Sequence, residues 1–245
     1  ARLAGIELDD EGMCLGKLSA ACAELDPKIV YISPYFHNPA GIIYSQQRKA
    51  HLVEALHTTS CILLEDDPYG ELYFDEGQKK KCVPLKVTHN DALPICYAGS
   101  FAKIVGPGMR LGYLVAPKEI AEKCELAKQS MDACSSTFSQ VLVDAFLRSG
   151  TLPGYLASLR GVYARRAATM LDALEATMPP EVQWTRPRGG FYIWVTLPES
   201  IDSSAVLEES LKEGAAFVIG KAFDPGGVRN NCLRLAFSHT PEENI

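Results

Sequence analysis

Three short apolar runs constrain this chain more than any other feature, because hydrophobic and polar residues do not alternate within them. They are KIVYIS (28–33), CILLE (61–65) and LPICYAGS (93–100). Half-buried strands alternate. Runs of this kind predict strands buried on both faces, hence a largely parallel sheet covered by helices. Between the first two lies SQQRKAHLVEALHTTS (45–60), with Ser45 at the N-cap position and apolar residues at helical spacing. RLGYLVAP (110–117) repeats the short apolar strand, and amphipathic segments from Pro117 to Ser130 and from Phe138 to Leu147 supply helices to cover it.

The pattern changes after SGTLPG (149–154). A long helical period, YLASLRGVYARRAATMLDALEATM (155–178), ends at Pro179 and Pro180. It is followed by the strand GGFYIWVTL, the helix SSAVLEESLKEG and the strands AFVIG and CLRLAFS. This mixed series reads as a smaller α+β unit. The boundary falls near Gly150, giving a large unit over 1–150 and a smaller one over 151–245.

A chain of 245 residues, 47% hydrophobic and 22% charged, has the material for one or two ordinary cores. Its net charge of −6 has no basic patch, which argues against nucleic acid as a partner of this chain. No apolar run is long enough to span a bilayer, and the start ARLAGIELDDEG lacks the layout of a signal peptide. The eight cysteines are scattered with no C-x-x-C pair, which reads as reduced thiols in a cytoplasmic protein without disulfides or metal.

Polar residues stand just past the expected strand ends: Asn38 after the first, Asp66 and Tyr69 after the second, Ser100 and Lys103 after the third. In an open parallel sheet those ends share one edge, so the side chains can meet in a single crevice. The glycines near Lys103 match neither a nucleoside-triphosphate loop, where lysine follows the glycines, nor a dinucleotide fingerprint, whose third glycine would stand where Leu111 is. An amine, a carboxylate, a phenol, an amide, a hydroxyl and Arg110 do suit pyridoxal 5'-phosphate. Lysine bonds its aldehyde, and a carboxylate keeps its ring nitrogen protonated. Tyrosine and asparagine bond its phenolic oxygen, and Ser100 and Arg110 hold phosphate. Asp67 in DPY, His37 and His239 read as structural, and Lys79 to Lys81 as a solvated loop. By pattern alone Arg234 suits the exposed face of an edge strand, Arg165 and Arg166 surface or interdomain ion pairs.

Six ordered stretches carry a resemblance: HNPAG, LLEDDPYGELYF, GSFAKIVGPGMRLGY, LRGVYARRAATMLDALE, RPRGGFYIWVTLP and NCLRLAFS. Together they resemble class I/II aminotransferases of fold type I, in the subgroup of 2-aminoadipate and kynurenine-type enzymes and MocR-type regulators. The resemblance implies an α/β fold, with part of the large cofactor-binding domain followed by a small C-terminal domain. It implies that Lys103 is the Schiff-base lysine, Asp66 the ring-nitrogen partner, Tyr69 and Asn38 contacts of the phenolic oxygen, and Ser100 and Arg110 contacts of phosphate. Arg234 would clamp the substrate α-carboxylate, with Asn38 beside it. The implied reaction moves an amino group from an amino acid to a 2-oxo acid, in a homodimer. Ala102 stands where the family has a second serine, and the family's N-terminal section has no counterpart, so the chain reads as a fragment. The resemblance leaves two other readings open: the effector-sensing domain of a MocR-type transcription regulator, and an inactive C-terminal fragment.

Overall fold

The computed structural model describes residues 2–245. A small hairpin of β1 (Leu8–Asp9) and β2 (Gly12–Met13) leads into α1 (Leu15–Leu25). There follow β3 (Ile29–Ile32), α2 (Gln46–Leu56), β4 (Ile62–Asp67), the one-turn helices α3 (Glu76–Lys79) and α4 (Leu85–Thr88), β5 (Ile95–Ser100) and β6 (Gly112–Val115). Three helices come next, α5 (Lys118–Met131), α6 (Thr137–Arg148) and α7 (Leu152–Thr177). The chain closes with β7 (Gln183–Trp184), β8 (Tyr192–Thr196), α8 (Ser203–Lys212), β9 (Val218–Ile219) and β10 (Cys232–Ala236).

The first sheet has the order β3-β4-β5-β6, with the first two pairings parallel and the last antiparallel. Its core joins Val30, Ile32, Leu63 and Ile95 of the strands to Leu18 of α1 and Leu52 and Leu56 of α2. Each fully buried Leu or Ile there contributes about 1.5–3 kcal/mol. Ser45 caps α2 as the sequence predicts, its hydroxyl accepting from Arg48 N at 3.0 Å. Burial on both faces fails at the two edge strands, while no residue of the central β4 or β5 is exposed. Residues alternate in and out along β3, leaving Ile29 56% and Tyr31 54% exposed, and β6 is exposed throughout. The helices expected to cover that face do not seal it, since α5 has no buried residue and α6 buries only Ser139 and Val143. An apolar run reports what a strand could bury, not which element arrives to bury it. The lysine run is exposed as expected but coiled rather than loop, in α3 and a following 3-10 turn.

The exit of β4 is fixed by buried polar groups. Glu65 is fully buried and accepts from Tyr35 Oη at 2.6 Å, Leu85 N at 2.8 Å and Lys86 N at 3.0 Å. Beside it the fully buried Lys49 donates to the carbonyls of Lys81 at 2.7 Å and Val83 at 2.9 Å. Buried charge is tolerated only where such partners exist. These bonds lock the residue immediately before Asp66.

The second sheet, β7-β8-β10-β9, is antiparallel throughout and packs Ile193, Val195 and Leu233 against Ala167 and Leu174 of α7. A strip after β4 ties the two sheets together. Tyr73 bridges Gly189, Phe74 N donates to Arg188 O at 2.9 Å, and Gly190 N donates to Leu72 O at 3.0 Å. Gly189 has to be glycine here, because a Cβ would lie 2.5 Å from the Phe36 ring and 2.6 Å from Leu72 O. Arg160 of α7 reinforces the junction, pairing with Glu71 at 2.9 Å and lying 3.7 Å from the centre of the Tyr73 ring. The strip delivers Phe191 and Tyr192 to the ends of the first sheet.

Candidate active site

Because β3, β4 and β5 run parallel in register, with Ile32 beside Glu65 and Asp66 beside Ala98, their C-terminal ends share one edge. Asp66 stands near the end of β4, Tyr69 just beyond it, Lys103 three residues past β5, and Asn38 in the loop after β3. Tyr69 is buried, with its ring edge-on to Phe191 at 5.3 Å and to Tyr192 at 5.9 Å between centroids. Its hydroxyl donates to Tyr192 Oη at 3.3 Å. Lys103 Nζ lies 6.0 Å from the centre of the Phe191 ring. Arg234 lies over the Tyr192 ring at 4.2 Å and donates to Asn38 Oδ1 at 2.8 Å. Contacts therefore run unbroken from Lys103 through Phe191, Tyr69, Tyr192 and Arg234 to Asn38.

Burial first, then the bond to Tyr192, holds the Tyr69 phenol well above the ordinary range. The Arg234 charge opposes that rise and the Asp66 charge adds to it, so both are close enough to be felt at the hydroxyl. Asp66 accepts a hydrogen bond from Tyr31 Oη at 2.7 Å. Arg234 is half-buried on β10, which is an interior strand and not the edge strand that its pattern suggested. Its Nε is buried without a hydrogen-bond partner among the described residues, an unsatisfied donor beside the aromatic floor.

The phosphate candidates are less well gathered. Ser100 Oγ accepts from Ala102 N at 3.2 Å and so shapes the turn after β5. Arg110 is exposed, with φ of 47°, and its closest polar contact is Pro107 O at 3.5 Å, so the structure does not bring its guanidinium to the others. Asp67 is the turn acid that its DPY setting suggested, accepting from Gly70 N at 2.6 Å and Tyr97 Oη at 2.8 Å, with burial pushing its carboxyl up to about 6. His37 is structural too. Its Nδ1 accepts from Ala40 N at 3.3 Å, and burial pushes its pKa down to about 4, leaving it neutral. Arg165 pairs with Glu242 at 3.2 Å, and Arg166 caps Ser238 O at 2.6 Å.

Sequence reasoning missed Phe191, Tyr192 and Tyr31. The paired glycines before FYIW were the available signal for the first two, since Gly189 and Gly190 let that strand approach Phe36 closely. A cavity of about 1420 Å³ lies alongside, between the N-terminal segment, Trp184 and Phe223. Tyr31 and His37 line it, whereas Lys103, Asp66, Tyr69 and Arg234 do not.

Comparison with known proteins follows the same line. The family description "Aminotransferase class I and II" matches residues 7–245. Aromatic-amino-acid aminotransferase 1 of Thermococcus litoralis is 40% identical over an alignment of 245 positions that covers 98% of this chain and 58% of that protein. The crystal structure of Pyrococcus horikoshii kynurenine aminotransferase, solved with PMP, KYN and KYA, superposes with a TM-score of 0.91 at 40% identity, covering 97% of this chain and 59% of that one. An HTH-type transcriptional regulator of Bacillus subtilis is 33% identical over 97% of this chain and 48% of its own length. The chain thus spans about half to three fifths of the length of these relatives.

Proposed function

The chain belongs to the class I and II aminotransferases, and from that premise we propose that it forms the lysine-bearing and carboxy-terminal part of an enzyme that moves an amino group from an amino acid to a 2-oxo acid with pyridoxal 5'-phosphate. The observation that carries this reading is the unbroken run of contacts from Lys103 to Arg234 and Asn38. The unpartnered Nε of Arg234, the phenol of Tyr69, the carboxylate of Asp66 and the amine of Lys103 fit a charged planar aldehyde and an amino-acid carboxylate. When bound, the cofactor supplies an electron sink and carries the amino group.

In this reading the chain's own groups divide the work. Lys103 would hold the cofactor and would move a proton at the substrate Cα as a general acid and base. Asp66 would pair with the ring nitrogen, and Tyr69 with Asn38 would bond the ring oxygen. Arg234 presents its planar fork to the α-carboxylate. Ser100 and Arg110 would bind the phosphate. The apolar walls of Phe191 and Tyr192 keep water from the reacting carbon. We assign the two units to residues 1–150 and 151–245, and propose a cytoplasmic homodimer. Apolar side chains exposed on α6, among them Phe138 at 75% and Val141 at 63%, support an unpartnered surface. No described helix is long and apolar enough to cross a membrane.

Adding pyridoxal 5'-phosphate to the chain should produce a visible absorbance band that Lys103→Ala abolishes. Identical spectra from the two proteins would refute the assignment. A second reading, the sensing domain of a transcription regulator, is favoured by the 33% identity to the Bacillus protein. Cofactor binding without amino transfer, on a chain whose gene encodes an upstream DNA-binding head, would select it.

A further inference from the structure

Two acidic residues end β4, and the fold uses them differently. Asp67 closes the turn onto Gly70 N and takes a second bond from Tyr97. Asp66 caps no backbone group. Its one hydrogen bond among the described residues comes from Tyr31, whose hydroxyl donates to Oδ2 at 2.7 Å, leaving Oδ1 unengaged. The register explains how the two meet. Tyr31 on β3 pairs with Leu64 on β4, and Asp66, two residues further, points to the same face as Leu64. Two strand residues advance about 6–7 Å, a span that a tyrosine crosses and a serine or threonine in its place would not. The Tyr31 residue is 54% exposed, so core packing does not account for the placement of its hydroxyl.

Resting on the aminotransferase reading, we propose that Tyr31 is a positioning residue, its phenol pinning Oδ2 of Asp66 so that Oδ1 is left for the ring nitrogen of the cofactor. A hydroxyl donating to a carboxylate favours the ionised form and fixes its plane. Both effects help a carboxylate that must keep a pyridine nitrogen protonated. Burial, and after it the Asp66 bond and charge, already holds the Tyr31 phenol well above the ordinary range, with Tyr44 the other titratable group acting on it.

The test has one arm without cofactor and one with it. In the cofactor-free chain, carbon-13 NMR of labelled tyrosine should show the Tyr31 phenol ionising late, and Asp66→Asn should bring that ionisation to lower pH. No movement would overturn the contact. With pyridoxal 5'-phosphate labelled at the ring nitrogen, the unmodified chain should show a protonated pyridine. Tyr31→Phe, a half-exposed change that spares the core, should weaken cofactor retention about tenfold and move the nitrogen-15 signal towards the unprotonated form. A merely structural tyrosine would leave that signal in place. Wild-type affinity and nitrogen-15 shift in Tyr31→Phe would overturn the proposal while the aminotransferase reading stands. Absence of any Lys103-dependent absorbance in the unmodified chain would overturn both.

Discussion

Replacing Lys49 by methionine tests whether the buried network really holds a charge. The lysine is fully buried, and loss of hydration pushes its pKa down from 10.5 to about 8, against the opposing pull of Glu65. A cation whose folded pKa lies below its unfolded value lowers stability while it is protonated. Between pH 8 and pH 10.5 the unfolded chain binds more protons than the folded one, so stability rises with pH through that window. A depression of this size integrates to about 3 kcal/mol in full and about 2.5 kcal/mol by pH 10. Lys49→Met keeps the apolar stem but leaves the carbonyl of Lys81 without its donor, that of Val83 with only the Tyr35 hydroxyl, and Glu65 without its countercharge. At pH 7 the variant should be less stable by about 3 kcal/mol. The difference between the two proteins should then widen by about 2.5 kcal/mol between pH 7 and pH 10. Urea unfolding at the two pH values reads this as a further separation of midpoints of roughly 1 M. Groups remote from Lys49 cancel in the comparison. A gap that stays constant, or narrows, would refute the idea that desolvation dominates at Lys49.

Other outcomes follow from the same geometry. Gly189→Ala would place a Cβ 2.5 Å from the Phe36 ring and 2.6 Å from Leu72 O. The strip between the sheets must then shift, lowering stability by about 3 kcal/mol in thermal unfolding, and an unchanged midpoint would show that the junction yields easily. Arg234→Ala removes the donor to Asn38 Oδ1 and the half-buried cation. In the active protein it should raise the KM for the amino donor about a hundredfold with a smaller loss in kcat, and an unaltered KM would remove Arg234 from the substrate site.

Much of the first sheet was legible because β-branched and apolar residues cluster where strands must be buried, and because Ser45 and the proline-rich loops punctuate them. Asn38, Asp66, Tyr69 and Lys103 were legible as residues at or just past strand ends, and parallel strands leave such residues along a single edge. Tyr31 and Tyr192 were not. Tyr31 is 35 residues from its partner Asp66 and Tyr192 is 123 residues from its partner Tyr69, and they meet only through strand register and the bridge between the sheets. Arg234 looked like an exposed edge residue because local pattern cannot tell an edge strand from an interior one. The role of Lys49 is not legible in the sequence, since nothing nearby announces carbonyls more than thirty residues away.

By itself the sequence determined which segments could become strands and helices and which chemical groups would be carried at their ends, for those depend on local preference and covalent order. Only the tertiary structure decided which oxygen of Asp66 is engaged, which faces stay open, and that Arg234 reaches Asn38. Those outcomes depend on register, twist and close packing between distant segments, where a displacement of one residue turns a side chain to the opposite face.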